Sequence, residues 1–181
     1  AYEQIGDGAP KFTVDTVTPG DVQTIDGTLE IPNFLDNDGS PGGKLLFDSA
    51  GNPSLNPAHP MYDAAFRCVI PNEVSTPVPA LLYGHGLLGS RSQVDFFGAF
   101  AGQGTIGACA VDWLGMATED VANLAGILND MSRFNEQADR MLQGIIAFQM
   151  LGRLTNSPLG FVSHPAFQND DGSPILNADA T

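Results

Sequence analysis

Basic residues are scarce in this chain: seven Lys and Arg stand against 21 Asp and Glu, a formal net charge of −14. Nucleic-acid binding depends on Lys and Arg neutralising phosphates, so this balance excludes nucleic acid as a partner. A polybasic membrane patch is excluded on the same ground. No apolar run approaches the ~20 residues that span a bilayer, so no integral membrane segment is expected. The opening, Ala1 to Gly6, lacks the basic and apolar regions of a signal peptide. Three histidines occur, His59, His85 and His164, with no close ligand spacing. A zinc-type centre needs three or four convergent ligands, so a metal-dependent hydrolase is disfavoured and no cofactor is expected. Repeats and low-complexity segments are also missing.

What is present is enough for one domain with a real core: 181 residues, 43% of them hydrophobic. The 21 Gly and 13 Pro point to many turns and long loops. The acidic residues are scattered rather than gathered in a tail. That suits a solvated surface in an extracellular or saline setting.

Residues 1–21 read as an irregular lead-in with Gly6, Gly8, Pro10, Pro19 and Gly20, within which Lys11–Val17 alternates as an edge strand would. Val22–Ile31 carries Val and Ile at β spacing, Gly27 marks a bulge or hairpin, and Phe34–Leu35 reads as a short continuation. Residues 36–60 are loop. Asp36 and Asp38 suggest a calcium loop, but Pro41 and Phe47 stand where glycine and glutamate are required. Turn chemistry accounts for this stretch and for Asn169–Ser173. His59, ahead of Pro60, reads as an extended surface residue, and His164 has no partner that makes it a base.

Met61–Ile70 reads as a strand stopped by Pro71, and Ile106–Trp113 as a buried strand. Before the latter, Ser90 or Ser92 caps a helix through Val94, Phe96, Phe97 and Phe100 that ends at Gly102 or Gly104. Thr118 caps another helix, with Glu119 and Asp120 in the turn where the macrodipole favours acids. Unbroken to Arg153 it would be ~54 Å long, too long for a compact domain. A break between Asn129 and Asn135 is therefore expected. The first piece then forms a lid-like excursion, and the second packs on the sheet through Met141, Leu142, Ile145, Phe148 and Met150. Residues 155–181 return to loop.

The organising stretch is Pro79–Ser90, Pro-Ala-Leu-Leu-Tyr-Gly-His-Gly-Leu-Leu-Gly-Ser. Ala80–Tyr83 suits a strand buried on both faces. It breaks into Gly84-His85-Gly86, and glycines at a strand's carboxyl end let backbone N–H groups face a ligand. Preorganised donors of this kind stabilise an oxyanion. With the strand, turn, helix and strand that follow, this stretch resembles the α/β-hydrolase superfamily, in particular secreted bacterial esterases and lipases. The resemblance covers 22–181 and implies an α/β fold: the amino-terminal half of the hydrolase sheet, with an antiparallel start, a parallel βαβ unit and flanking helices. It implies that His85-Gly86-Leu87 is the oxyanion turn, with the Leu87 N–H as donor. Leu88, Trp113 and Met116 would face the acyl group, Asp112 would hold its loop, and Arg91 would anchor the turn. In the resembled fold the strands of Cys68 and Cys109 are neighbours, and two readings stand open, a disulfide or two buried thiols.

The family's nucleophile is the serine of a Gly-x-Ser-x-Gly elbow, and no serine here is so flanked. The resemblance therefore implies a carboxylic ester hydrolase whose serine, acid and histidine come from a second polypeptide or missing segment. Residues 177–181 are a candidate cleavage site. Without the elbow strand, Ala80–Tyr83 would present an unpaired parallel edge. The substrate would be a small-molecule or lipid ester, and the setting secreted, cell-surface or periplasmic. The rival reading is a non-catalytic extracellular binding or structural module on the same sheet.

Overall fold

Alternation sets the sheet. In β2 (Gln23–Pro32), Ile25, Gly27, Leu29 and Ile31 are buried and the residues between them are half-buried. The computed structural model describes residues 8–179. Its five strands are β1 (Phe12–Thr18), β2, β3 (Met61–Ile70), β4 (Ala80–Leu82) and β5 (Gly107–Val111), in the order β1-β2-β3-β5-β4. The first three pairings are antiparallel and β4–β5 is parallel, so the fold is mixed α/β. Within the lead-in, residues 1–7 lie outside the described residues, while Phe12–Thr18 is the expected edge strand. Gly27 makes neither bulge nor hairpin. It runs straight through β2, where a Cβ would lie 2.1 Å from the Thr13 carbonyl and 2.6 Å from the Phe66 ring. The register shift falls opposite, between Val14 and Thr16 of β1.

Each face of the sheet has its own cover. On one, Val94 and Ala101 pack against Val69, Ala108 and Ala110. These come from the β4–β5 crossover, which is a 3-10 segment, Arg91–Phe97, and a short helix α1 (Gly98–Gly102). The expected single helix is thus corrected: Phe96 and Phe100 point outward, 74% and 53% exposed. The other face holds Ile25, Leu29, Phe66, Cys68, Cys109 and Val111 under α3 (Phe134–Thr155). Between them runs α2 (Val121–Asn129), and the chain breaks at Asp130, whose carboxylate accepts the Ser132 N–H and hydroxyl at 3.2 and 2.6 Å. The break lies where helix length required it.

The face of α3 differs from the expected one. Met150 is buried, but Leu142 and Ile145 are 50% and 41% exposed. The buried side carries Gly144, Ala147, Leu151 and Leu154 with the polar Gln137, Arg140 and Gln143. These polar side chains reach partners that hydrophobic periodicity does not count: Gln143 donates to the Pro32 carbonyl at 2.8 Å and accepts the Phe34 N–H at 3.0 Å. Among the described residues no helix is long and apolar enough to cross a membrane.

Cys68 and Cys109 are register partners on β3 and β5, 4.1 Å apart at Cα, and are disulfide-bonded. Closing 41 residues of separation stabilises by ~4 kcal/mol in the chain-entropy account. The Cys68→Ala/Cys109→Ala double variant is expected to lose ~3–4 kcal/mol by urea unfolding.

Two glutamates respond oppositely to acid. Arg133, hydrogen-bonded to Glu136 at 2.8 and 3.0 Å, holds that carboxyl below its ordinary 4.5. Its contribution is present above pH 4.5 and is lost as pH falls through the folded value. Burial pushes Glu119 above 4.5 against the pull of Arg140, so its contribution declines as pH rises through that interval. Urea midpoints between about pH 3 and 7 are expected to show Glu136→Gln flattening the acid limb and Glu119→Gln the limb just above it.

Candidate functional site

Three loops leave one edge of the sheet. β4 and β5 are parallel and end there, and the antiparallel β2 and β3 meet there at Pro32 and Met61. The edge therefore carries residues 33–60, 84–90 and 112–120. Turn 84–90 follows β4, which is corrected from a strand buried on both faces to an edge strand: Leu81 is 37% exposed and Ala80 and Leu82 are half-buried. β5 is its only partner over Ala80–Leu82 among the described residues.

His85 is buried and joins the two strand ends. Its Nε2 accepts the Trp113 N–H at 2.8 Å, which places the ring proton on Nδ1, and Nδ1 donates to the Gly86 carbonyl at 2.8 Å. Both ring nitrogens are occupied, so this histidine is a strut rather than a proton-transfer group. Four consecutive backbone N–H groups follow. Gly86 donates to Gln93 Oε1 at 3.1 Å, Leu88 to the Met116 carbonyl at 2.7 Å, and Gly89 to the Gly86 carbonyl at 2.9 Å. The Leu87 N–H alone of the four has no acceptor among the described residues, and Leu87 is 71% exposed. Leu88 sits at φ 57, the left-handed region that costs a non-glycine residue ~1–2 kcal/mol. Its bonded N–H and the bonds from the neighbouring loop hold it there.

Loop 112–120 is the turn's second wall. The Asp112 carboxylate accepts the Arg91 N–H at 2.7 Å and pairs with the Arg91 guanidinium. Gly89 and Ala117 form a parallel bridge, and Thr118 donates its N–H to the Gly89 carbonyl at 2.8 Å. The expected helix cap is corrected: the Thr118 hydroxyl donates to the carbonyls of Leu88 (3.1 Å) and Gly89 (2.9 Å), and Ala117 precedes a 3-10 turn, Thr118–Asp120. The indole of Trp113 stacks on Phe148 at 5.3 Å, and its buried Nε1 has no hydrogen-bond partner among the described residues.

His85, Gly86, Leu87, Leu88, Trp113 and Met116 thus meet at one corner. The open apolar groove of about 490 Å³ lies elsewhere, between Phe34, Leu45, Pro53 and the exposed Leu142 and Ile145. Sequence reasoning missed Gln93, whose Oε1 also accepts the Tyr83 hydroxyl at 3.3 Å. Its position seven residues after Gly86, on the crossover, was the available signal. His164 accepts the Ala166 N–H at 3.1 Å and packs on Phe12, and the His59 side chain is at the exposed surface. No cluster of three His, Cys, Asp or Glu side chains arranged to ligate a metal occurs among the described residues. The chain matches no family model, no curated protein and no solved structure.

The corner depends on close approach to α3. A Cβ on Gly144 would fall 2.5 Å from Trp113 Cδ1 and 2.9 Å from the Leu114 backbone N and O. Gly144→Ala is expected to cost ~1–3 kcal/mol through overpacking. It should also shift the emission of Trp113, the one tryptophan in the chain; an unchanged spectrum would contradict the packing.

Proposed function

We propose that this chain supplies the oxyanion side of a serine carboxylic-ester hydrolase built on an α/β-hydrolase sheet. The observation that carries the reading is the Leu87 N–H, which has no acceptor among the described residues while the N–H groups of Gly86 and Leu88 on either side of it are bonded, at the end of a parallel strand. A preorganised donor needs no reorganisation when charge develops. The serine Oγ attacks the ester carbonyl carbon and its proton passes to a base. The carbonyl oxygen becomes the oxyanion, which accepts from Leu87 N–H. Collapse expels the alcohol, and water then releases the acid from the acyl-serine. Leu88, Trp113 and Met116 face the acyl group in this reading.

The open edge of β4 supports a completing strand that brings the nucleophile. Val78, just before β4, forms a parallel bridge with Leu176, its N–H bonded to the Ile175 carbonyl and its carbonyl to the Asn177 N–H. Residues 175–177 therefore run on the outer side of β4 and in its direction. The Asp179 N–H then turns back to Asn177 Oδ1 at 2.9 Å, and no described residue pairs with the outer side of Ala80–Leu82. Ala180 and Thr181, in the expected cleavage region, lie outside the described residues. A segment or second polypeptide with the serine, acid and histidine fits this edge. The disulfide fits an oxidising, secreted or periplasmic setting.

The test uses the purified native preparation with all its polypeptides. A serine-directed phosphonate is expected to label a serine outside these 181 residues and to abolish turnover of a soluble ester. Leu87→Ala keeps the backbone donor and is expected to retain most activity. Leu87→Pro removes it and should lower kcat roughly 10²–10³-fold. Near-normal turnover in a folded Leu87→Pro protein overturns the donor assignment, and absence of labelling favours the binding module.

A further inference from the structure

We propose that Arg140, remote from the turn on α3, is a positioning residue for the Leu87 donor; the inference rests on the oxyanion reading above. Arg140 is the largest fully buried side chain of the described residues, at 0% exposure. Its guanidinium reaches two of the three edge loops. Nε donates to Asp120 Oδ1 and Nη2 to Glu119 Oε1, each at 2.7 Å, and Nη1 donates to the Gly39 carbonyl. Gly39 has φ 95 and lies against the Tyr62 ring, where a Cβ would be 2.2 Å from a ring carbon. That carbonyl has little freedom to turn away.

From the guanidinium the path to the donor is continuous. The second Asp120 oxygen, Oδ2, accepts the Ala117 N–H at 3.0 Å. Ala117 bridges Gly89, Thr118 holds the Leu88 and Gly89 carbonyls, and the Met116 carbonyl holds the Leu88 N–H. Every link from Arg140 to the peptide beside Leu87 is a hydrogen bond or a covalent peptide unit. Stability alone explains such a residue poorly, because apolar replacement of a buried ion pair is often neutral or better. A planar fork does what a hydrophobe does not: it fixes the direction of several acceptors at once. Here the fixed elements are the loop that forms the turn's second wall and the loop across the edge from it.

Three variants test this in the native preparation: Arg140→Met, Arg140→Lys, which keeps the charge without the fork, and Thr118→Val, which removes only the hydroxyl ties. Amide hydrogen exchange at Leu88 and Gly89 is expected to quicken about tenfold in each, relative to amides of β2. The kcat for a soluble ester should fall about tenfold with KM unchanged, as for a group acting only in the transition state. Thr118→Val should do this without moving the unfolding midpoint, and adding it to an Arg140 variant should cost nothing further. Wild-type exchange at Leu88 and Gly89 in the folded Arg140 variants overturns the proposal. Arg140 and Thr118 effects on kcat that simply multiply do so as well. Leu87→Pro, run in parallel, separates the two readings. If it retains turnover, the oxyanion assignment and the catalytic part of this proposal fall. If it loses turnover while the Arg140 variants keep theirs, Arg140 positioning alone falls.

Discussion

One imidazole holds the candidate corner together. β4 is three residues long and has a single strand neighbour among the described residues, so its end is weakly fixed by the ladder. His85 replaces what a second neighbour would provide. It takes the Trp113 N–H on one nitrogen and gives its proton to the Gly86 carbonyl from the other. The ends of β4 and β5 are thereby locked at a fixed spacing, and the turn beyond them inherits that spacing. The left-handed Leu88, the Leu87 N–H that no described residue accepts and the Gly89–Ala117 bridge all lie downstream of this tie.

The second constraint is polar and sits under the first. Helix α3 presents Gln137, Arg140 and Gln143 to the interior as well as hydrophobic residues. Gln137 donates to the Gly115 carbonyl, Gln143 serves Pro32 and Phe34, and Arg140 serves Gly39 and two acids. Loop backbone beyond the strand ends has isolated bridges such as Leu35–Leu45 and Gly89–Ala117 in place of a continuous ladder, and buried polar groups without partners are costly. The helix side chains satisfy them. Burial, with the negative charge of Glu119 nearby, pushes the Tyr62 hydroxyl up to about 12.

Much of the sheet was legible in the sequence because two-residue alternation and Pro/Gly stops are local signals. Met61–Ile70 and Val22–Ile31 were delimited almost to the residue by them. The helix break was legible from length alone. What failed was whatever depended on distant partners. The crossover became mostly 3-10, and Phe96 and Phe100 were left outside. The packing face of α3 was misread because Arg140 and Gln143 find acceptors from residues a hundred positions away. At the site, the glycine pattern of 84–89 announced a turn, whereas Gln93 was marked only by its place on the crossover seven residues after Gly86, and the double tie by Thr118 had no signature in spacing. Asp38 and Asp171 followed the simpler chemistry, accepting the N–H and hydroxyl of Ser40 and Ser173 within turns, and Asp36 accepts the Lys44 N–H across its loop.

The bond between Cys68 and Cys109 also defines which parts of the molecule can be separated. It closes a covalent ring that contains β4, the whole 84–90 turn and the crossover. A protease that nicks the backbone anywhere within 69–108 opens this ring without dividing the molecule. The two new ends stay joined through sulfur, and the turn remains in register with β5. Outside the ring, a cut in the 33–60 loop leaves β1 and β2 joined to the remainder by hydrogen bonds and packing alone. The chain's covalent connectivity thus retains β4 and the turn that follows it, and leaves the attachment of β1 and β2 across the 33–60 loop to noncovalent forces once that loop is cut.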